Sequence, residues 1–87
     1  MDWTSLSTVI PPGEILVRKV QYYDRLVVTS EEGSGKYSYF RGSERNAFKG
    51  RELKLRQPLT IPKGYGVKIH NYTKDNLIIA ESLERDC

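Results

Sequence analysis

From Leu53 onward the chain alternates. Leu53, Leu55, Leu59 and Ile61, then Tyr65, Val67 and Ile69, fall on odd positions, while Lys54, Arg56, Thr60, Lys68 and His70 lie between them. Period two is the mark of strands with one buried and one wet face. Pro62-Lys63-Gly64 interrupts the run, and residues 71–76 interrupt it again before Leu77-Ile78-Ile79-Ala80. Both breaks have turn chemistry. This stretch therefore predicts a three-stranded antiparallel meander. Its apolar set, Leu53, Leu55, Leu59, Ile61, Val67, Ile69, Leu77 and Ile79, is the expected core.

The rest of the chain repeats the short-strand pattern. Residues 14–20 carry Ile15-Leu16-Val17, residues 25–30 carry Leu26-Val27-Val28, and residues 36–41 carry Tyr37, Tyr39 and Phe40. Tyr22-Tyr23-Asp24 and Glu31-Glu32-Gly33-Ser34-Gly35 separate them as turns. About six short strands with turns every 8–12 residues indicate an all-β fold, a single small antiparallel β-sandwich or barrel. Ser43 and Gly50 bracket at most one short helical turn near 43–49. Pro58 lies inside a strand pattern, so that strand is expected at a sheet edge or bent there.

Residues 1–13 read as an N-terminal arm ending at Pro11-Pro12-Gly13, residues 14–83 as the β domain, and residues 84–87 as a loose polar tail. Trp3 either caps the domain's own core or anchors the arm on a neighbour. Leu6, Val9 and Ile10 complete the arm's apolar set, and the arm together with the Pro58 edge is the expected partner-binding region.

At 87 residues, one core supplies only modest stability, and disulfides, metals or association are the usual supplements. A single cysteine, Cys87, and a single histidine, His70, leave no internal disulfide and no ordinary zinc set. No metal or other cofactor is expected, and association is the supplement that remains. No run of apolar residues is long enough to cross a membrane, and the N-terminus has no signal-peptide pattern. A virion or cytoplasmic location is expected, without secretion by a classical signal. Asn71-Tyr72-Thr73 matches a glycosylation acceptor and is read as a chance match.

Charge is unevenly spread. Lys36, Arg41, Arg45, Lys49, Arg51, Lys54, Arg56, Lys63 and Lys68 are opposed within their window only by Glu44 and Glu52, a surplus of seven, whereas each flank carries a net −2. The same window holds Tyr37, Phe40 and Phe48, which are candidates for stacking on bases. The window is expected to form one contiguous positive surface, suited to nucleic acid or to an acidic protein. On alternating strands, however, Lys and Arg also fill the wet face of any half-buried sheet.

Enzyme chemistry has little to build on. The chain has no G-x-S-x-G, P-loop or H-E-x-x-H motif, and these are the patterns that would place a nucleophile, phosphate cradle or metal. His70 falls on the wet side of its strand, Cys87 at a terminus, and Glu31-Glu32 in a glycine turn. No catalytic residue and no small-molecule substrate are expected.

The segment P-L-T-I-P-K-G-Y-G-V-K-I-H-N, followed by N-L-I-I-A, spans residues 58–80 with a short gap. It resembles the terminal strands of small β-sandwich accessory proteins of bacteriophage particles, of the capsid decoration and tail or fibre type. It also resembles dUTPase-like sheets, but that family's serine-rich phosphate motif is missing, so the activity does not carry over. The phage resemblance implies a non-enzymatic, oligomeric structural or assembly module that self-associates and docks on a protein surface. Two alternatives stand beside it: a small β-barrel binding nucleic acid through residues 36–68, and a phage-type inhibitor binding a host protein.

Overall fold

The computed structural model describes residues 2–42 and 50–86. The side chains of residues 2–4 are not among those described. Among the described residues, eight strands run in chain order: β1 (Asp2–Ile10), β2 (Ile15–Lys19), β3 (Arg25–Glu32), β4 (Gly35–Arg41), β5 (Arg51–Leu53), β6 (Leu59–Pro62), β7 (Tyr65–His70) and β8 (Leu77–Arg85). They form two four-stranded antiparallel sheets, β1-β8-β3-β6 and β2-β7-β4-β5. The strand order is that of a double-sheet jelly roll. The all-β sandwich expected from the alternation is what forms. The helical turn near 43–49 falls outside the described residues.

The predicted meander does not form. β6 pairs with β3 in the first sheet, β7 pairs with β2 and β4 in the second, and β8 returns to the first between β1 and β3. Each break in the alternation carries the chain across the sandwich rather than back along its neighbour. A period of two distinguishes inside from outside and is silent about which sheet the next strand joins.

Between the sheets lies one apolar cluster that includes Ile10, Val20, Leu26, Val28, Leu53, Leu59, Ile61, Val67, Ile69, Leu77 and Ile79, with Leu16, Tyr37 and Leu83 packed against it. Seven of the eight residues expected in the core are there. Leu55 is the exception, at 52% exposed. β5 ends at Leu53, and the chain then crosses to the first sheet. Arg56 takes a left-handed backbone (φ 61°) there, and its N–H donates to the Ser30 carbonyl at 2.8 Å. Pro58 sits in this crossover, outside any strand, so it marks a bend between two edge strands, β5 and β6, of opposite sheets.

Residues 2–10 are not an arm ahead of the domain. They pair with β8 over their whole length, from Asp2 opposite Arg85 to Ile10 opposite Leu77. Ile10 is only 2% exposed, so this strand contributes to the core. Residues 84–86 of the polar tail are not loose either, and Cys87 falls outside the described residues. β8 continues to Arg85, and Arg25 pairs with Glu84 at 3.1 Å and with Asp86 at 2.6 Å. Arg85 donates to the Tyr22 carbonyl at 2.8 Å and lies over the Tyr23 ring.

One polar side chain ties together the end of the sandwich where β1 meets β2 and β7 meets β8. Asn71 is fully buried. Its amide nitrogen donates to the carbonyls of Ile10 (2.8 Å) and Asp75 (2.7 Å), and its oxygen accepts from the N–H and hydroxyl of Thr73. Both partners of the apparent glycosylation pattern are thus consumed by an internal turn.

Candidate interaction surfaces

The basic window is dispersed. Successive strands run in opposite directions, so residues near one another in the chain go to opposite ends of the sandwich. Lys54 and Arg56 lie in the β5–β6 crossover, beside Ser30. Lys63 lies at the other end, in the β6–β7 turn, where its N–H donates to the Asp24 carbonyl. Arg41 ends β4 at that end, and its guanidinium lies 5.6 Å from the centre of the Tyr65 ring. Arg51 opposes Tyr37 on the edge strand β5. Lys36 and Lys68 lie on the outer face of the second sheet. Arg45 and Lys49 lie outside the described residues. Among the described residues, the basic side chains of the window divide between a lysine-bearing sheet face and two small clusters at opposite ends.

On that face the register aligns Ile15, His70, Lys36 and Glu52 in one row, Val17, Lys68 and Ser38 in the next, and Lys19, Gly66 and Phe40 in a third. Lys36 lies 5.0 Å from the centre of the Tyr72 ring, whose hydroxyl donates to Glu52 at 3.3 Å. Lys19, outside the predicted window, joins the face from the far edge.

Among the described residues, the stacking candidates Tyr37 and Phe40 do not form a platform. Tyr37 packs against the core and meets Tyr39 edge-on, with ring centres 5.6 Å apart. The Tyr39 hydroxyl donates to the Thr60 carbonyl in the opposite sheet at 3.2 Å. Burial pushes the Tyr39 phenol above its ordinary pKa, with Tyr37 acting in the same sense and Arg51 opposing. Phe40 does lie on the opposite side of β4, but it is buried because its ring covers the surface left by Gly66, where a Cβ would strike it. Phe48 lies outside the described residues.

The outer face of the first sheet is different. Its rows run Val9–Ile78, Ser7–Ala80–Thr29 and Ser5–Ser82–Val27–Thr60. All nine side chains are small or branched and none is charged. Charges border it at the two ends, Glu32 opposite Ile78 and the Arg25–Glu84 pair. Val9 is 52% exposed. On the inner side of the same edge strand, Leu6 is 58% exposed at the open margin between the sheets. Of the partner-binding residues expected from sequence, Leu6 and Val9 therefore share an exposed edge, Ile10 is core, and Trp3 belongs to the same strand.

A polar group hidden from sequence reasoning closes that margin. Glu81 occupies a core position of β8, between Ile79 and Leu83, and is buried. Its carboxylate accepts from Thr8 Oγ1 at 2.6 Å, Arg18 Nε at 2.8 Å and Arg18 Nη2 at 3.3 Å. Leu6, Leu26 and Leu83 join the pair around a cavity of about 150 Å³. The only signal in the sequence is a charge at a core position in the L-x-I-x-E-x-L alternation of β8. Among the described residues, no three His, Cys, Asp or Glu side chains are grouped so as to hold a metal ion.

The geometry defines a class, the double-sheet jelly roll, and solved structures share it. The chain is similar to an uncharacterized conserved protein with a double-stranded β-helix domain from Klebsiella pneumoniae, with a TM-score of 0.78 at 16% identity over 95% of this chain and 67% of that one. A Bacillus halodurans protein, BH2720, gives 0.77 at 16% identity over 98% of this chain and 64% of its own. Drosophila melanogaster CENP-C, solved bound to CAL1, gives 0.72 at 12% identity over 88% and 61%. The chain thus spans 61–67% of the length of these three solved chains. No protein-family model matches the chain, and no curated protein does.

Proposed function

We propose that this chain is a non-catalytic structural or assembly module, which self-associates and docks on a protein surface through its first sheet. The observation that carries this reading is the outer face of β1, β8 and β3. A solvated sheet face ordinarily carries Lys, Glu and Arg, whereas this one presents Ser, Thr, Ala, Val and Ile across three rows. Such a surface sheds water at little cost, since it contains no ion to desolvate. CENP-C, one of the similar chains, was solved bound to a protein partner, which is in keeping with protein docking by a fold of this kind. The resemblance of residues 58–80 to phage accessory modules makes a virus particle the assembly we favour. A host protein bound by the same face is the inhibitor version of this reading.

A second reading rests on the second sheet, whose outer face carries Lys19, Lys36 and Lys68. That array suits an acidic partner such as nucleic acid. One experiment separates the two. Ala80→Arg and Thr29→Lys place charge in the uncharged face, and Lys36→Glu with Lys68→Glu reverse the lysine face. Particle mass is then measured by light scattering with and without DNA, at low and high salt. The assembly reading expects wild-type oligomers that persist at high salt and survive the lysine reversals, and the first pair of variants tests whether the uncharged face, rather than an edge of the same sheet, holds the copies together. A wild-type monomer that gains mass only on DNA at low salt replaces it with the nucleic-acid reading.

A further inference from the structure

We infer that two copies of this chain join edge to edge through β1, antiparallel about Leu6, so that two first sheets become one eight-stranded sheet. The inference rests on the assembly reading and names its partner, a second copy, and its register.

Among the described residues the sandwich has four edge strands, and three are guarded in the ways that soluble sheets use. β6 has four residues, ends in Pro62 and is preceded by Pro58. β5 has three residues, two of them Arg51 and Glu52. β2 has five residues, carries Arg18 and Lys19, and is flanked by Pro12 and Glu14. β1 is the exception. It is nine residues long, and from residue 3 to residue 10 it has no charge and no proline. Its inner flank pairs with β8, so its outer flank offers a long row of backbone donors and acceptors.

An uncharged strand is complementary to itself when reversed, because the antiparallel ladder satisfies the same groups on both copies. Centring the two-fold axis at Leu6 pairs the whole strand, with Ser5 opposite Ser7, Thr4 opposite Thr8 and Asp2 opposite Ile10 of the second copy. Leu6 then faces Leu6 across the axis. That contact would cover a residue now exposed at the margin of the Arg18–Glu81 cavity. The uncharged outer face would continue from one copy to the next, doubling the docking surface.

The test uses the full chain with Leu6→Lys, Leu6→Glu and their equimolar mixture, followed by sedimentation velocity across the micromolar range. Circular dichroism and thermal unfolding check each fold. The expected result is a wild-type dimer, monomers for each variant alone, and a dimer restored in the mixture, where Lys meets Glu across the axis. As a second measurement, Leu6→Cys in a Cys87→Ser background should give an oxidised covalent dimer, and Val9→Cys, opposite Trp3, should not. A monomeric wild type overturns both the edge pairing and self-association. Variants that remain dimeric overturn the edge pairing alone and leave the uncharged face as the site of self-association. A mixture that stays monomeric overturns the Leu6-centred register.

Discussion

Arg18→Met should be far more damaging than its surface position suggests. Glu81 is 5% exposed and Arg18 37% exposed. The substitution removes two of the three donors to the Glu81 carboxylate and leaves it with Thr8 alone. Breaking a buried pair by removing one partner costs about 3–5 kcal/mol, mostly because the remaining charge stays desolvated. The half-exposed arginine means that water can reach the vacated space, which favours the lower end, about 3 kcal/mol. At this chain length, each kcal/mol corresponds to about 4–8 °C in Tm. The reverse change, Glu81→Met, strands an arginine that can still reach solvent, and should cost roughly half as much. The double variant should regain most of the loss, since an apolar pair of similar volume suits the leucines around it. Chemical denaturation of the four proteins provides the cycle. Equal losses from the two single variants, or an Arg18→Met loss below about 1 kcal/mol, would show that the carboxylate is hydrated and refute the reasoning.

Three further outcomes are expected. Gly66→Ala should destabilise the domain, because the added methyl runs into the Phe40 ring, and Phe40→Leu should relieve the clash, as a double-mutant cycle would read. Hydrogen bonding to Arg25 holds the Asp86 carboxyl below its ordinary pKa; its stabilising contribution is therefore present above the normal carboxylate range and lost as pH falls through the lowered value, so Asp86→Asn should flatten the acid side of a Tm-versus-pH curve. Deleting residues 2–10 should unfold the chain rather than release a soluble monomer, since it removes Ile10 from the core and the whole β1–β8 ladder; a cooperatively folding truncated protein, seen by thermal circular dichroism, would return this segment to the status of an arm.

The alternation of β6, β7 and β8 revealed which residues face inward, because burial of one face imposes that pattern wherever the strand lies. It could not reveal sheet membership, since both sheets of a sandwich turn the same kind of face toward the core. Leu55 shows the same limit locally. The period continues past Leu53, but the crossover begins there, and the left-handed Arg56 and Pro58 that enforce it are legible only as a bend. β1 was harder still. Its inward positions from Leu6 to Ile10 include Thr8, which bonds to Glu81 instead of packing as a hydrophobe. The segment thus lacks the clean alternation of a core strand and reads as an appendage.

The candidate surfaces depended on pairing more than on composition. A tally of charges along residues 36–68 yields a strongly basic window, but antiparallel strands spread that window over both ends of the molecule and one face. The uncharged face has the opposite history. Val9, Ala80, Thr29 and their neighbours come from the beginning, end and middle of the chain. No local stretch stands out as free of charge, and only the register of β1 on β8 and of β8 on β3 collects them. The same holds for Glu81 and Arg18, which are 63 residues apart. A carboxylate at a core position has one physical interpretation, that an opposite charge or a donor waits across the sandwich. Here that donor sits on the edge strand beneath β1. The long uncharged edge and the buried ion pair therefore share one margin of the sandwich, and Leu6 separates them. Leu6 lies directly opposite Glu81 in the β1–β8 register, so a charge at residue 6 would compete for the pair, whereas the neutral Leu6→Asn should leave it intact. Selective loss of association in Leu6→Asn, with the Arg18–Glu81 contribution to stability unchanged, is the pattern that distinguishes an exposed docking edge from a strand needed only to roof the core.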